Sequence, residues 1–164
     1  MKRFVMIALI FTTLLFSGCM PDKYAFPNKN QPIEIIELLY NPHANKGNIG
    51  GPMEIICTLD DENAVAFLEE LYQLDTNRRT PPGTGYGFYV AQVIYQNGDI
   101  EMFGRWHIEL IRKGSEPTRV GAYYFSGNGF EKLFCEYAGI TSFDEDMAER
   151  EQNATTTAPP SNGE

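Results

Sequence analysis

The sequence predicts an α+β domain in which an antiparallel sheet of about five strands carries two helices, mainly on one face. Three observations support this class. Runs of β-branched and aromatic residues recur, Asn97-Gly98 separates two of them as a hairpin turn would, and two other segments place apolar residues at helical spacing. The predicted order is β-β-α-β-β-β-α, and consecutive strands with short connections favour antiparallel pairing.

The first three elements are predicted between residues 33 and 74. Ile33–Tyr40 is an apolar, β-branched run, and Met53–Leu59 alternates as a half-buried strand does. The intervening segment 45–52 contains glycines without the Gly-Lys-Ser or Gly-Lys-Thr ending of a phosphate loop, which indicates a turn. Asp60 is placed as an N-cap, and the helix is predicted to continue to Leu74 with an apolar stripe of Ala64, Phe67, Leu68 and Leu71.

A β-hairpin is predicted around Asn97-Gly98, after a long loop at 75–85. A two-residue turn there would pair Gln96 with Asp99 and Val93 with Met102. The outgoing strand would run unbroken to Leu110, with its even positions facing the core and its odd positions on the other face. Gly104 is a candidate bulge, which would exchange the faces beyond it.

The last two elements are a strand at 119–125 and a helix that begins after Ser126. The helix carries an apolar stripe, and Gly139 followed by Ile140 predicts a left-handed C-terminal cap. The stripe consists of Phe130, Leu133, Phe134 and Tyr137.

The N-terminus has the three parts of an export signal. Lys2 and Arg3 precede an apolar run, and the small residues Ser17 and Gly18 precede Cys19. Residues 15–19 resemble the lipobox of bacterial lipoproteins, in which the cysteine sulfur receives a diacylglycerol before signal peptidase II cuts in front of it. Phe16 departs from the aliphatic residue usual at that position. The alternatives are a retained membrane anchor, for which the run is short, and an ordinary secretory signal.

The resemblance implies a lipid-anchored protein on the extracytoplasmic side of the cell membrane. Residues 1–18 are then the signal peptide, 19–32 a lipidated flexible spacer, 33–143 a single domain, and 144–164 an acidic disordered tail. Removal of the signal takes away two bases and no acid, which changes the formal net charge from −9 to −11. Such a charge argues against nucleic acid as a partner.

Cys57 and Cys135 remain after lipidation of Cys19, and an extracytoplasmic location permits a disulfide between them. However, Cys135 lies roughly 150° from the centre of its helix's apolar stripe at 100° per residue, whereas Cys57 shares the apolar face of its strand. We therefore expect two free thiols. Burial of Cys57 would also make it a poor nucleophile.

A candidate binding face lies on the predicted hairpin, where aromatic residues adjoin an arginine. It consists of Phe88, Val90, Phe103, Arg105, His107 and Glu109. The alternative is that another element covers this face as a second core layer.

The favoured function is recognition of an envelope protein or a small ligand. The other hypotheses are a hydrolase-type enzyme using His107 and Glu109 and a passive structural lipoprotein. No motif predicts a metal or a cofactor, and the oligomeric state stays open. In its organisation the chain resembles the small uncharacterised lipoproteins of Gram-positive bacteria.

Overall fold

The computed structural model describes residues 23–44, 52–78, 87–114 and 123–157. The signal peptide, Cys19, most of the loop at 45–52 and the start of the strand predicted at 119–125 lie outside these ranges. The elements in chain order are β1 (Ile33–Tyr40), β2 (Glu54–Leu59), α1 (Asp61–Leu71), β3 (Thr76–Arg78), β4 (Tyr89–Tyr95), β5 (Ile100–Gly104), β6 (His107–Ile111), β7 (Tyr123–Phe125), α2 (Gly129–Ala138) and α3 (Phe143–Thr157).

The predicted α+β class is confirmed. Five antiparallel strands form one sheet in the order β2-β1-β4-β5-β6, and β3 pairs with β7 in a small second sheet. The main core contains buried residues of α1 and α2 together with one face of the large sheet, which explains the apolar stripes of both helices. The other face carries a smaller cluster of Leu39, Val90 and Met102.

Two helix ends form as the sequence predicts. The Asp60 carboxylate accepts a hydrogen bond from the Asn63 backbone N–H at 2.9 Å, which satisfies one of the free donors at the start of α1. Gly139 ends α2 in the left-handed conformation with φ 68°, and the Ile140 N–H donates to the carbonyl of Cys135. Side chains rarely adopt that φ, so glycine suits the position.

The register predicted for the β4–β5 hairpin is wrong by one residue. Ile94 pairs with Ile100 and Ala91 with Phe103, because the loop has three residues, 96–98, and is closed by Tyr95 and Asp99. A two-residue type I′ turn needs a positive φ at both Asn97 and Gly98, and only Gly98 has one, at 85°. The shift moves Phe103 to the main core face.

The long outgoing strand predicted from Asp99 to Leu110 is also wrong, because it divides into two strands. Arg105 and Trp106 form a turn after Gly104, and β6 folds back antiparallel to β5 with Gly104 opposite His107. The turn is held from outside, since the Phe125 N–H donates to the Arg105 carbonyl at 3.2 Å. Arg105 is therefore a turn residue and does not share a strand face with His107 and Glu109.

The prediction of a flexible spacer at 19–32 is wrong for residues 23–32. Tyr24 and Phe26 are buried in the main core, where both rings contact the ring of Phe103. The Tyr24 N–H also donates to Oγ1 of Thr76 at 2.8 Å, so this segment is bonded to β3. Aromatic burial of this kind outweighs the turn-forming composition that suggested a spacer.

A fully buried carboxyl group fastens the same segment to the sheet. Glu101 accepts hydrogen bonds from the hydroxyl groups of Tyr24 and Tyr95, each at 2.5 Å. Burial raises the pKa of the Glu101 carboxyl above its usual range, although the two hydrogen bonds act in the opposite direction. The pKa values of both tyrosines are raised by burial and then by the neighbouring Glu101.

The prediction of a disordered tail from residue 144 is wrong for residues 144–157, which belong to α3. This helix begins with Phe143, which is buried in the main core and stacks on Tyr89 with ring centroids 4.0 Å apart. Arg150, one turn beyond Asp146, bonds to it at 2.6 Å and reaches Glu54 of β2 at 3.1 Å. These contacts fix an acidic helix whose composition alone favours disorder.

Candidate functional site

The structure separates the six residues of the predicted binding face. Phe88 and Arg105 line one surface pocket, which we call the corner pocket. Val90 and Phe103 are fully buried on opposite faces of the sheet, in the smaller cluster and the main core respectively. His107 and Glu109 are buried in β6 and do not line the corner pocket. The prediction of one exposed face is therefore wrong, because the register shift and the turn at Arg105 redistribute its members.

The corner pocket lies where the start of β4, the β5–β6 turn, α2 and α3 meet. Its cavity volume is about 280 Å³. The α3 side of this pocket was not predicted, because the acidic composition of residues 144–157 indicated a disordered tail and not a helix. The lining residues are Gly87, Phe88, Tyr89, Arg105, Trp106, Glu131, Phe143, Asp144 and Met147.

Arg105 is held at the pocket by two weak partners. Its guanidinium carbon lies 4.8 Å from the centre of the Trp106 ring, within the range of a cation–π contact. Its Nη1 lies 3.4 Å from a carboxylate oxygen of Glu131, which is long for an ion pair with good hydrogen-bond geometry. Its Nε is inaccessible to solvent and has no hydrogen-bond acceptor among the residues that the structure describes. The arginine is thus positioned by its turn more than by strong ion pairing.

Trp106 is the most distinctive exposed residue of the site. Its side chain is 44% exposed even though it is the largest apolar residue type, and its ring lies 6.4 Å from that of Tyr124. Gly87 lies beside this ring, where an added Cβ would make an ordinary contact with Cδ1 of Trp106 at 3.7 Å; glycine suits the position because of its φ of 91°. Exposed tryptophan beside arginine is the composition of energetically dominant residues in binding interfaces.

The floor of the pocket is formed by packed aromatic rings. Tyr89 stacks on Phe143, and its hydroxyl lies within donating distance of the Phe143 carbonyl at 3.0 Å and of Asp146 Oδ2 at 2.8 Å. Burial, followed by the hydrogen bond to Asp146, raises the pKa of Tyr89 above its usual range. Tyr89 therefore keeps its proton at neutral pH and serves as a structural donor.

The two described cysteines are free thiols, as predicted. Sγ of Cys57 lies 3.6 Å from the Tyr137 carbonyl, and burial raises its pKa. Cys135 is buried in the main core despite its angular distance from the stripe of α2. Burial and the nearby carboxylates of Glu131 and Asp146 raise the pKa of Cys135 to about 11. Raised pKa values argue against either thiol as a nucleophile.

The geometry gives the hydrolase hypothesis no support, because His107 and Glu109 are both shielded from solvent. In the described ranges, no three His, Cys, Asp or Glu side chains are grouped so that they could hold a metal ion. No helix among the residues that the structure describes has the length and apolar character needed to span a bilayer. No family model, curated protein or solved structure matches this chain.

Proposed function

We propose that this chain is a lipid-anchored binding module on the extracytoplasmic side of the cell membrane, and that the corner pocket is its recognition site. The observation that carries the proposal is the pairing of exposed Trp106 with Arg105 at the edge of a preformed cavity. Concave, largely apolar sites with a few placed polar groups are where proteins bind ligands. The partner is an envelope protein or a small molecule.

The anchor is inferred from the lipobox-like residues that end at Cys19. Two or three acyl chains on that residue would hold the protein stably, since each buried methylene contributes about 0.8 kcal/mol. Because Tyr24 is already buried in the domain, the five residues from Cys19 can reach at most about 18 Å. The folded unit would then be held close to the membrane surface, where its partner must be accessible.

Site-specific photo-crosslinking in intact cells tests whether the corner pocket recognises a macromolecule. A benzophenone amino acid replaces Trp106 in one version, and replaces Val65 of α1 or Ile55 of β2 in two control versions. Both control positions are exposed apolar residues, at 51% and 58%, and neither lines the pocket. We expect a discrete adduct from position 106 that neither control gives.

Native mass spectrometry of the protein extracted from its own membranes tests whether the corner pocket binds a small molecule. We expect a bound mass that is present in the wild type and absent from Trp106→Ala. The proposal would be contradicted if position 106 gave no adduct beyond those of the controls and no bound mass depended on Trp106. That combined result would favour a passive structural lipoprotein.

A further inference from the structure

We propose that the corner pocket binds an organic cation, an ammonium or guanidinium group carried on a short apolar body. This inference rests on the proposed function, because it names the ligand class of the same pocket. Free amines and the Lys or Arg side chains of a peptide present the same chemistry. Both the charges of the pocket and its rings support this class.

The charges lining the pocket favour a positive ligand. Arg105 supplies one positive charge, whereas Glu131 and Asp144 supply two negative charges. Glu131 lies 3.4 Å from Nη1 of Arg105, so these two opposite charges offset each other. Within the described residues, the exposed Asp144 carboxylate has no ion pair or side-chain hydrogen bond. One negative charge at the pocket is therefore left for a ligand. The net charge of the chain, −9, attracts cations over a longer range.

The aromatic side chains favour the same class of ligand. The negative face of an aromatic ring attracts a cation, and tryptophan does so best. The guanidinium group of Arg105 already covers part of the Trp106 ring at 4.8 Å, so the charged head of a ligand belongs at Asp144 and the rings supply contact for its apolar body. Phe88 lines the same pocket and is half-buried, so it adds apolar surface to the space beside Asp144. The ammonium group of an aliphatic amine would thus contact the Asp144 carboxylate, and its alkyl chain would pack against the aromatic rings.

An anionic ligand fits less well, although arginine often binds carboxylates. A two-pronged arginine–carboxylate pair uses two N–H groups that the ligand can reach together. A two-pronged carboxylate contact needs either the Nε of Arg105, which is inaccessible to solvent, or its Nη1, which already faces Glu131, so Nη2 alone would give only a single contact. An incoming carboxylate would also lie near the Asp144 carboxylate and would be repelled by it.

The size of the cavity limits the ligand. A volume of about 280 Å³ lies just below the range of roughly 300 to 1,000 Å³ that is typical of pockets for drug-sized molecules. A single side chain or a short alkyl amine therefore suits this pocket better than a large cofactor.

Direct binding measurements on the mature lipoprotein in non-ionic detergent test the cation class. The probes are butylamine and N-acetyl-lysine methylamide, with butyrate and butanol as matched anionic and neutral compounds. Calorimetry gives the affinities, and Trp106, the single tryptophan of the chain, reports occupancy by fluorescence. We expect at least one amine to bind more tightly than butyrate and butanol. Binding of the lysine derivative alone would identify a peptide source, and binding of butylamine alone a free amine.

Asp144→Asn and Glu145→Gln form a matched pair of variants. Each removes one negative charge from an exposed position in the first turn of α3, but only Asp144 lines the pocket. We expect Asp144→Asn to weaken amine binding by about two- to fivefold, the equivalent of one partly exposed ion pair. Glu145→Gln should leave the affinity unchanged.

Three results would overturn the cation class. They are binding of butyrate as tight as that of the amines, equal effects of Asp144→Asn and Glu145→Gln, and no measurable binding of either amine. None of these results would contradict the proposal that the corner pocket is a recognition site, because crosslinking from position 106 and native mass spectrometry do not depend on the charge of the ligand. A Trp106-dependent adduct together with failed amine binding would mean a real recognition site for another chemical class.

Discussion

Replacing Tyr24 by phenylalanine tests whether the segment before β1 is part of the folded domain. The substitution keeps the buried ring and removes only the hydroxyl that donates to Oε1 of Glu101 at 2.5 Å. Loss of a hydrogen bond to a buried carboxyl group lowers the free energy of unfolding by about 1.5 to 3 kcal/mol. With a urea m-value of about 2 kcal/mol/M, a loss of 2 kcal/mol lowers the unfolding midpoint by about 1 M.

The assay is urea unfolding of a version that begins at Met20, followed by the fluorescence of Trp106 and by circular dichroism. Tyr124→Phe is the matched control, because Tyr124 is half-buried and its hydroxyl has no hydrogen bond among the described residues. We expect the control to change the free energy of unfolding by no more than about 0.5 kcal/mol. Equal midpoints for the two variants would refute the argument that residues 23–32 are fastened to the core.

Three further predictions concern the buried carboxyl, one glycine and the thiols. The raised pKa of Glu101 means that its contribution to stability is greatest below the pKa of the unfolded chain and falls as pH rises through the folded value. Glu101→Gln should therefore flatten this part of the pH profile in urea unfolding, and parallel profiles would contradict it. Gly98→Ala should destabilise the fold by about 1 to 2 kcal/mol in thermal unfolding, because Gly98 has φ 85°, and an unchanged Tm would contradict the observed loop. A thiol reagent should find both Cys57 and Cys135 in denaturant but react slowly with the native protein, whereas a count of zero in denaturant would indicate a disulfide.

Local patterns were sufficient for the elements whose ends are marked chemically. β1 runs from Ile33 to Tyr40 as predicted, since Pro32 precedes a β-branched run. The N-cap of α1 at Asp60 and the C-cap of α2 at Gly139 were also predicted, because capping depends on one or two adjacent residues. The ends of these elements are set by interactions between residues that are close in sequence, so the local sequence was enough to predict them.

The hairpin register could not be obtained in this way, because Asn97-Gly98 is compatible with loops of two and of three residues. The two loops differ by one residue, and that difference moves Phe103 from one face to the other. The corner pocket depends on this register and on α3. Phe88 and Arg105, two residues of the predicted binding face, line this pocket, but the residues that meet them there come from long-range packing.

The remaining misassignments have the same origin. Tyr24 lies in the predicted spacer, and Phe143 directly precedes the segment predicted to be a disordered tail, yet each buries one aromatic ring in the main core. Composition averages over a window, so it underestimates a segment that is held by one or two large side chains. Their partners, Glu101 and Tyr89, are distant in sequence and gave no local indication.

The proposed anchor has the most direct test, since every step from compartment to partner depends on it. Mass spectrometry of the protein isolated from cell membranes should show an N-terminal peptide that begins at Cys19 and carries a diacylglycerol mass. In a Cys19→Ser variant this modified peptide should be missing. An unmodified chain that retains Met1, or one cut elsewhere and free of lipid, would contradict the account of a membrane-tethered binding module.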